Sequence, residues 1–111
     1  MHPPEGVKAF SVYLLRCSDG TYYVGHTDDL ENRLAEHQNG SFGGHTFARR
    51  PVTLLWSCEL QSRGQAFAAE MQIKGWTRRK KEALIRSDWK AVRELSGPRT
   101  GPDLRRARRG R

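Results

Sequence analysis

Six side chains stand where packing alone gives no account of them: Tyr13, Tyr23, His26, Arg33, His37 and Glu70. Leu30 and Leu34 mark an apolar stripe on a predicted helix. At about 100° per residue, Arg33 and His37 fall beside that stripe and point the same way. An arginine and a histidine bordering a buried face imply a polar pocket; the plainer alternative is that Arg33 extends outward and His37 is an ordinary boundary residue. Glu70 is the sharper anomaly, because Ala66, Phe67 and Ile73 mark the inward arc of a second helix and Glu70 falls between them. A carboxylate is costly to bury without a cation, a hydrogen-bond network or a metal. A structural salt bridge, with Arg33 as one candidate partner, would satisfy it. So would a metal ion, which with few acidic neighbours would keep several waters and bridge to a substrate phosphate, as magnesium commonly does.

Positioning these groups falls to a short series of elements. Phe10 to Cys17 and Tyr22 to Thr27 read as strands, joined by a turn at Ser18-Asp19-Gly20-Thr21. A two-residue Asp19-Gly20 turn would put Tyr13 and Tyr23 on opposite faces. A three-residue loop with Gly20 left-handed pairs Cys17 with Thr21, sets Tyr13 opposite Gly25, and brings Tyr23 onto the same face. The second register is favoured, because glycine suits the left-handed position. Thr27-Asp28-Asp29 opens a helix to about Gln38, and Asn39-Gly40 stops it. Residues 41–51 read as a Gly-rich loop ending in Arg49-Arg50-Pro51. Val52 to Leu60 is a third strand with Leu54, Trp56, Cys58 and Leu60 on one face. Ser62 caps a helix to about Lys74, ended by Gly75; Thr77 caps another to Arg86, and Asp88 a short last one. The order β-β-α-β-α-α implies an α+β fold, a small antiparallel sheet covered by helices.

Composition narrows the function classes. The 111 residues suit one domain over 8–96. No apolar run approaches a membrane span, and the opening residues lack a secretory pattern, so no membrane role and a cytoplasmic location are expected. Cys17 and Cys58 form no C-x-x-C pair and read as buried, reduced thiols rather than a zinc site or disulfide framework. The net charge of +8 favours a polyanionic partner. Much of it lies in residues 97–111, where six arginines and one aspartate give +5 and leave +3 for the body. That segment, rich in Gly, Pro and Arg, reads as a disordered arm that would hold phosphates without reading sequence. A solubilising tail is the bland alternative.

Together, Ser11-Val12-Tyr13 and Tyr23-Val24-Gly25, then His26-Thr27, Arg33-Leu34-Ala35-Glu36-His37, Arg49-Arg50-Pro51, and Glu70 ahead of the basic run 74–81, resemble the GIY-YIG nucleases, especially the small stand-alone bacterial members. The likeness spans roughly residues 9–85. It implies a three-stranded antiparallel sheet flanked by helices and a metal-dependent endonuclease that hydrolyses DNA phosphodiesters, with a role in DNA repair or processing. It further implies that Tyr13 is a general base or positions the attacking water, that Tyr23 shapes the site, and that Arg33 stabilises the phosphorane. His37 would assist proton transfer or substrate binding, His26 would polarise the first tyrosine, and Glu70 would be the protein ligand of one Mg²⁺ or Mn²⁺ ion. Arg49, Arg50, Lys74, Arg78, Arg79 and Lys80 are the expected nucleic-acid contacts. Ser11 replaces the first glycine of the family pattern, and His45-Thr46-Phe47 replaces a tyrosine-containing basic stretch. The competing readings are a non-catalytic nucleic-acid-binding module and a subunit that needs a protein partner; duplex, flap, branched and single-stranded DNA all stay open as targets.

Overall fold

A computed structural model describes residues 9–95 and the backbone of Arg108–Arg109. Strands β1 (Phe10–Arg16), β2 (Tyr22–Thr27) and β3 (Thr53–Leu60) form an antiparallel sheet in the order β2-β1-β3. This is the expected three-stranded sheet, with one addition: a two-residue strand, β4 (Arg108–Arg109), pairs antiparallel with Cys58 and Glu59 at the open edge of β3. The rest of the segment expected to be disordered lies outside the described residues.

The β1–β2 turn takes the three-residue form. Cys17 N–H donates to the Thr21 carbonyl at 2.8 Å and Gly20 has φ +85°. Tyr13 therefore pairs with Gly25, as the favoured register requires. Asp19 locks the turn by accepting from the Thr21 hydroxyl at 2.7 Å.

Alternation then divides the sheet into two faces. Tyr13, Leu15, Cys17 and Val52 line one, covered by Leu30 and Leu34 of α1 (Leu30–Asn39). Val12, Leu14, Val24, Trp56 and Cys58 line the other, covered by Ala69 and Ile73 of α2 (Arg63–Lys74), Ala83 and Leu84 of α3 (Arg78–Ile85), and Val92 of α4 (Trp89–Glu94). Each helix starts at an expected oxygen cap: Asp29, Ser62, Thr77 and Asp88 each accept a backbone N–H three residues on. Both cysteines are free and buried, and burial pushes the Cys58 thiol up to about 12, so it is inert at neutral pH. No described helix is long and apolar enough to cross a membrane.

Three sequence expectations need correction. A register shift between Leu14 and Leu15 leaves one extra residue in β3, so Leu54 joins the tyrosine face rather than the face of Trp56 and Cys58. The stretch read as an irregular loop winds into a short 3-10 helix at Gly44–Arg49, entered through Gly43 and Gly44 in left-handed backbone. Phe67, expected to face inward, is 51% exposed, because the small side chains of Ala66 and Ala69 seat α2 directly on the sheet. Leu14→Ala is therefore expected to cost roughly 2–5 kcal/mol of stability by chemical denaturation, whereas Phe67→Ala costs under about 1 kcal/mol; equal losses would contradict this placement.

Candidate active site

The site assembles around edge strand β2. On the tyrosine face, the ring of Tyr13 lies directly across Gly25. A Cβ at position 25 would sit 2.6 Å from Tyr13 Oη and 3.1 Å from Tyr23 Cε2. With that space open, Tyr13 Oη reaches 3.0 Å from His37 Nε2, and the Tyr13 and Tyr23 ring centroids stand 6.3 Å apart. His37 is fully buried, so the boundary reading fails. Tyr23 and Phe42 close over its ring at centroid distances of 5.1 and 4.3 Å. Its other nitrogen, Nδ1, lies 2.8 Å from Thr46 Oγ1.

Arg33 stands one turn before His37 on α1 and neither extends freely into solvent nor is sealed inside. Its Nε donates to Glu36 at 3.1 Å, its Nη1 to the His26 carbonyl at 3.4 Å, and its guanidinium lies over the Phe42 ring at 4.8 Å. The electrostatics of the pocket follow. Burial raises the Tyr13 phenol well above its ordinary value, helped by Tyr23, while Arg33 pulls the other way and loses. Tyr13 therefore rests as the neutral phenol. Burial, with the Arg33 charge second, lowers the His37 imidazole and keeps it neutral near pH 7.

Glu70 reaches the same edge from α2. His26 is on the opposite face of β2 from Tyr23, where its Nδ1 lies 2.6 Å from Glu70 Oε1. The Lys74 ammonium sits 2.7 Å from Oε2, one helical turn on. A salt bridge to Lys74 and a hydrogen bond to His26, rather than a bridge to Arg33, thus satisfy the carboxylate. His26, expected to polarise Tyr13, instead bonds Glu70. Burial alone would raise the Glu70 carboxyl, but the hydrogen bonds from His26 and Lys74 outweigh it and hold it below its usual range. Glu70 is thus ionised at neutral pH. Among the described residues no three His, Cys, Asp or Glu side chains gather as a metal cage. The donor set still suits a hydrated divalent ion on one carboxylate, since the flexible, half-exposed Lys74 ammonium already stands where a cation would balance Oε2.

The expected phosphate contacts divide. Arg49 donates to Asp19 at 2.9 Å and to the His45 carbonyl, and Arg50 donates to the Phe47 carbonyl at 2.8 Å; both pin the 3-10 segment while staying partly open to solvent. Arg78 braces the hairpin through the Gly20 carbonyl at 2.9 Å and covers the Tyr22 ring. Arg79 is exposed. Lys80 is buried with its ammonium 3.9 Å over the Trp76 ring, so it packs rather than projects. Sequence reasoning missed Thr46 and Phe42, which lie in a segment with no periodicity to read. The Glu70–Lys74 pairing was readable, since residues four apart share a helix face.

Gly25→Ala is expected to displace the Tyr13 ring, break its contact with His37 and cost about 1–3 kcal/mol by overpacking. Gly64→Ala, where an added Cβ would meet nothing nearer than Ser62 Oγ at 3.9 Å, should be neutral or slightly stabilising. Urea denaturation of the two variants checks this, and equal effects would contradict it.

Comparison with known proteins bears on the same residues. The model of the GIY-YIG catalytic domain matches residues 9–83. A UPF0213 protein of Halobacterium salinarum is 45% identical over 74 residues, covering 67% of this chain and 96% of that protein. A UPF0213 protein of Streptococcus sanguinis is 44% identical over 75 residues, covering 68% and 86%. The solution NMR structure of a protein from E. faecalis superposes with a TM-score of 0.51 at 31% identity, covering 86% of this chain and 96% of that one. This chain belongs to the GIY-YIG catalytic domain family, whose fold is that of nucleases.

Proposed function

We propose that this chain is a metal-dependent DNA endonuclease that hydrolyses phosphodiester bonds in DNA repair or processing. The observation that carries the reading is the buried Tyr13 phenol set against the neutral His37 imidazole, beside Arg33 and around the β2 edge from Glu70. Hydrolysis needs a proton acceptor for the attacking water, a counter-charge for the phosphorane and help for the departing oxygen. A protonated phenol is a poor base alone, so Tyr13 acts as a relay: its Oη takes the water proton as its own passes to His37 Nε2. The water oxygen forms the new bond to phosphorus as the bond to the 3′ oxygen breaks. Arg33 offers a planar fork to the phosphate oxygens, and Tyr23 walls the pocket. His26 orients the Glu70 carboxylate. When bound through Glu70, one Mg²⁺ or Mn²⁺ ion supplies Lewis-acid stabilisation to the phosphate and the departing oxygen.

Phosphate contacts away from the reacting bond fall to Arg49, Arg50, Arg78 and Arg79, whose side chains reach the surface, while Lys74 stands beside Glu70 and would contact the phosphate nearer that bond. Phe67, 51% exposed beside His26, offers a ring face on which an unpaired base could stack, whereas the Phe42 ring is already covered by Arg33 and His37. That favours flap, branched or single-stranded DNA over intact duplex.

The test is cleavage of labelled duplex, flap, branched and single-stranded DNA with Mg²⁺, Mn²⁺ or EDTA, wild type beside Glu70→Ala. Metal-dependent products that fall at least roughly 100-fold in the variant support the reading. Tight binding without products under any metal overturns it in favour of a binding module or a partner-dependent subunit. The pH dependence has a definite sign. Neutral His37 is the active form and its pKa is lowered, so cleavage should hold steady down through about pH 6.5, the ordinary imidazole value, and fall only on the acid side. A rate that falls as pH rises from 6 to 8 would contradict the assignment.

A further inference from the structure

Thr46 is 1% exposed and sits in the 3-10 helix, with its hydroxyl between His37 Nδ1 at 2.8 Å and the Gly43 carbonyl at 3.5 Å. A hydroxyl has one hydrogen to donate, and a backbone carbonyl can only accept. If the Thr46 hydrogen goes to Gly43, the Thr46 oxygen must accept from His37, which fixes the imidazole hydrogen on Nδ1. Nε2 is then left bare and aimed at Tyr13 Oη, 3.0 Å away. If instead Thr46 donated to Nδ1, the hydrogen would sit on Nε2 and point at Tyr13, and His37 could not receive a proton from it.

The surroundings hold the first arrangement. The Gly43 carbonyl lies three residues before Thr46, at the entry to the 3-10 turn, and at 3.5 Å it is the acceptor within reach of the Thr46 hydroxyl besides His37. The segment itself is tied down on both sides: His45 Nε2 lies 3.0 Å from the Thr21 hydroxyl, Ser18 N–H donates to the Arg49 carbonyl at 2.9 Å, and Arg49 Nε donates to Asp19 at 2.9 Å. Thr46 is thereby anchored to the β1–β2 turn rather than carried on a free loop.

We infer that Thr46 is a positioning residue that selects the Nδ1–H form of His37 and so makes Nε2 the acceptor of the Tyr13 proton. The inference rests on the nuclease reading for its catalytic meaning, but the hydrogen's location is a property of the resting protein. The 3-10 segment thus has a chemical task and is more than a connection between α1 and β3. Side chains that orient a metal-bound histidine from behind change activity by roughly 10- to 100-fold, and the same scale is expected for Thr46 behind His37.

The experiment is ¹⁵N NMR of the full chain with labelled histidine at pH 7.5, for wild type, Thr46→Ser and Thr46→Val, alongside cleavage rates and melting temperatures. The wild type should show His37 as the Nδ1–H form. Thr46→Ser, which keeps the oxygen, should retain both that form and most of the rate. Thr46→Val, of nearly the same shape, should move His37 toward the Nε2–H form, lose roughly 10- to 100-fold in rate and melt roughly 5–15 °C lower, because it leaves a buried nitrogen unpaired. An Nε2–H signal in the wild type overturns the inference, as does an unchanged His37 spectrum in a folded Thr46→Val. If that variant does not fold, the wild-type and Thr46→Ser spectra decide. If wild type cleaves nothing, the nuclease reading falls while the His37 spectra still judge Thr46.

Discussion

The contact between Tyr13 Oη and His37 Nε2 is the constraint around which the rest of the molecule is arranged. Two buried polar groups meet, and leaving either without a partner would cost roughly 1–3 kcal/mol. Their meeting depends on three separate elements. The β1–β2 turn must have three residues, because a two-residue turn would send Tyr13 and Tyr23 to opposite faces. Position 25 must lack a side chain, because the Tyr13 ring occupies the space a Cβ would take. Helix α1 must stand on the tyrosine face with His37 in its last turns, which Leu30 and Leu34 secure by packing there. An apolar core alone would have asked for none of these together.

Glu70 poses the complementary problem on the other side of β2. Its carboxylate is buried and ionised, its charge balanced by a lysine from the next helical turn and one oxygen hydrogen-bonded to a histidine from the strand. One partner is held by the sheet and the other is flexible and half exposed. A site built this way keeps its acid ready at neutral pH while leaving one oxygen beside an easily displaced cation. The edge position of β2 matters for the same reason, since only at an edge can groups from opposite faces of a sheet approach one substrate.

Much of this was legible in the sequence. Gly20 after Ser18-Asp19 pointed to the hairpin register, and each helix announced its start through Asp29, Ser62, Thr77 or Asp88. Arg33, His37 and Glu70 stood out because charged or polar groups adjoined apolar arcs. What escaped depended on departures from regular period. The extra residue in β3 moved Leu54 across the sheet, a shift that strict alternation does not foresee. Phe67 was placed inward by its chemistry, whereas the close seating of Ala66 and Ala69 left it outside. Thr46 showed only as part of the His45-Thr46-Phe47 departure from the family pattern, because a lone threonine in a Gly-rich stretch has no periodicity to read; its burial against His37 reveals it. Lys80 looked like another member of a basic run until Trp76 drew its stem inward.

The central claim is that Tyr13 and His37 act as one unit in moving a proton. A double-mutant cycle on DNA cleavage, with Tyr13→Phe, His37→Gln and the pair, tests it most directly. If the two form one relay, breaking it once removes its whole contribution, so the double variant should be no slower than the worse single one, each losing roughly 100-fold. Losses that multiply, to roughly 10,000-fold in the double variant, would show two independent contributions and contradict the relay.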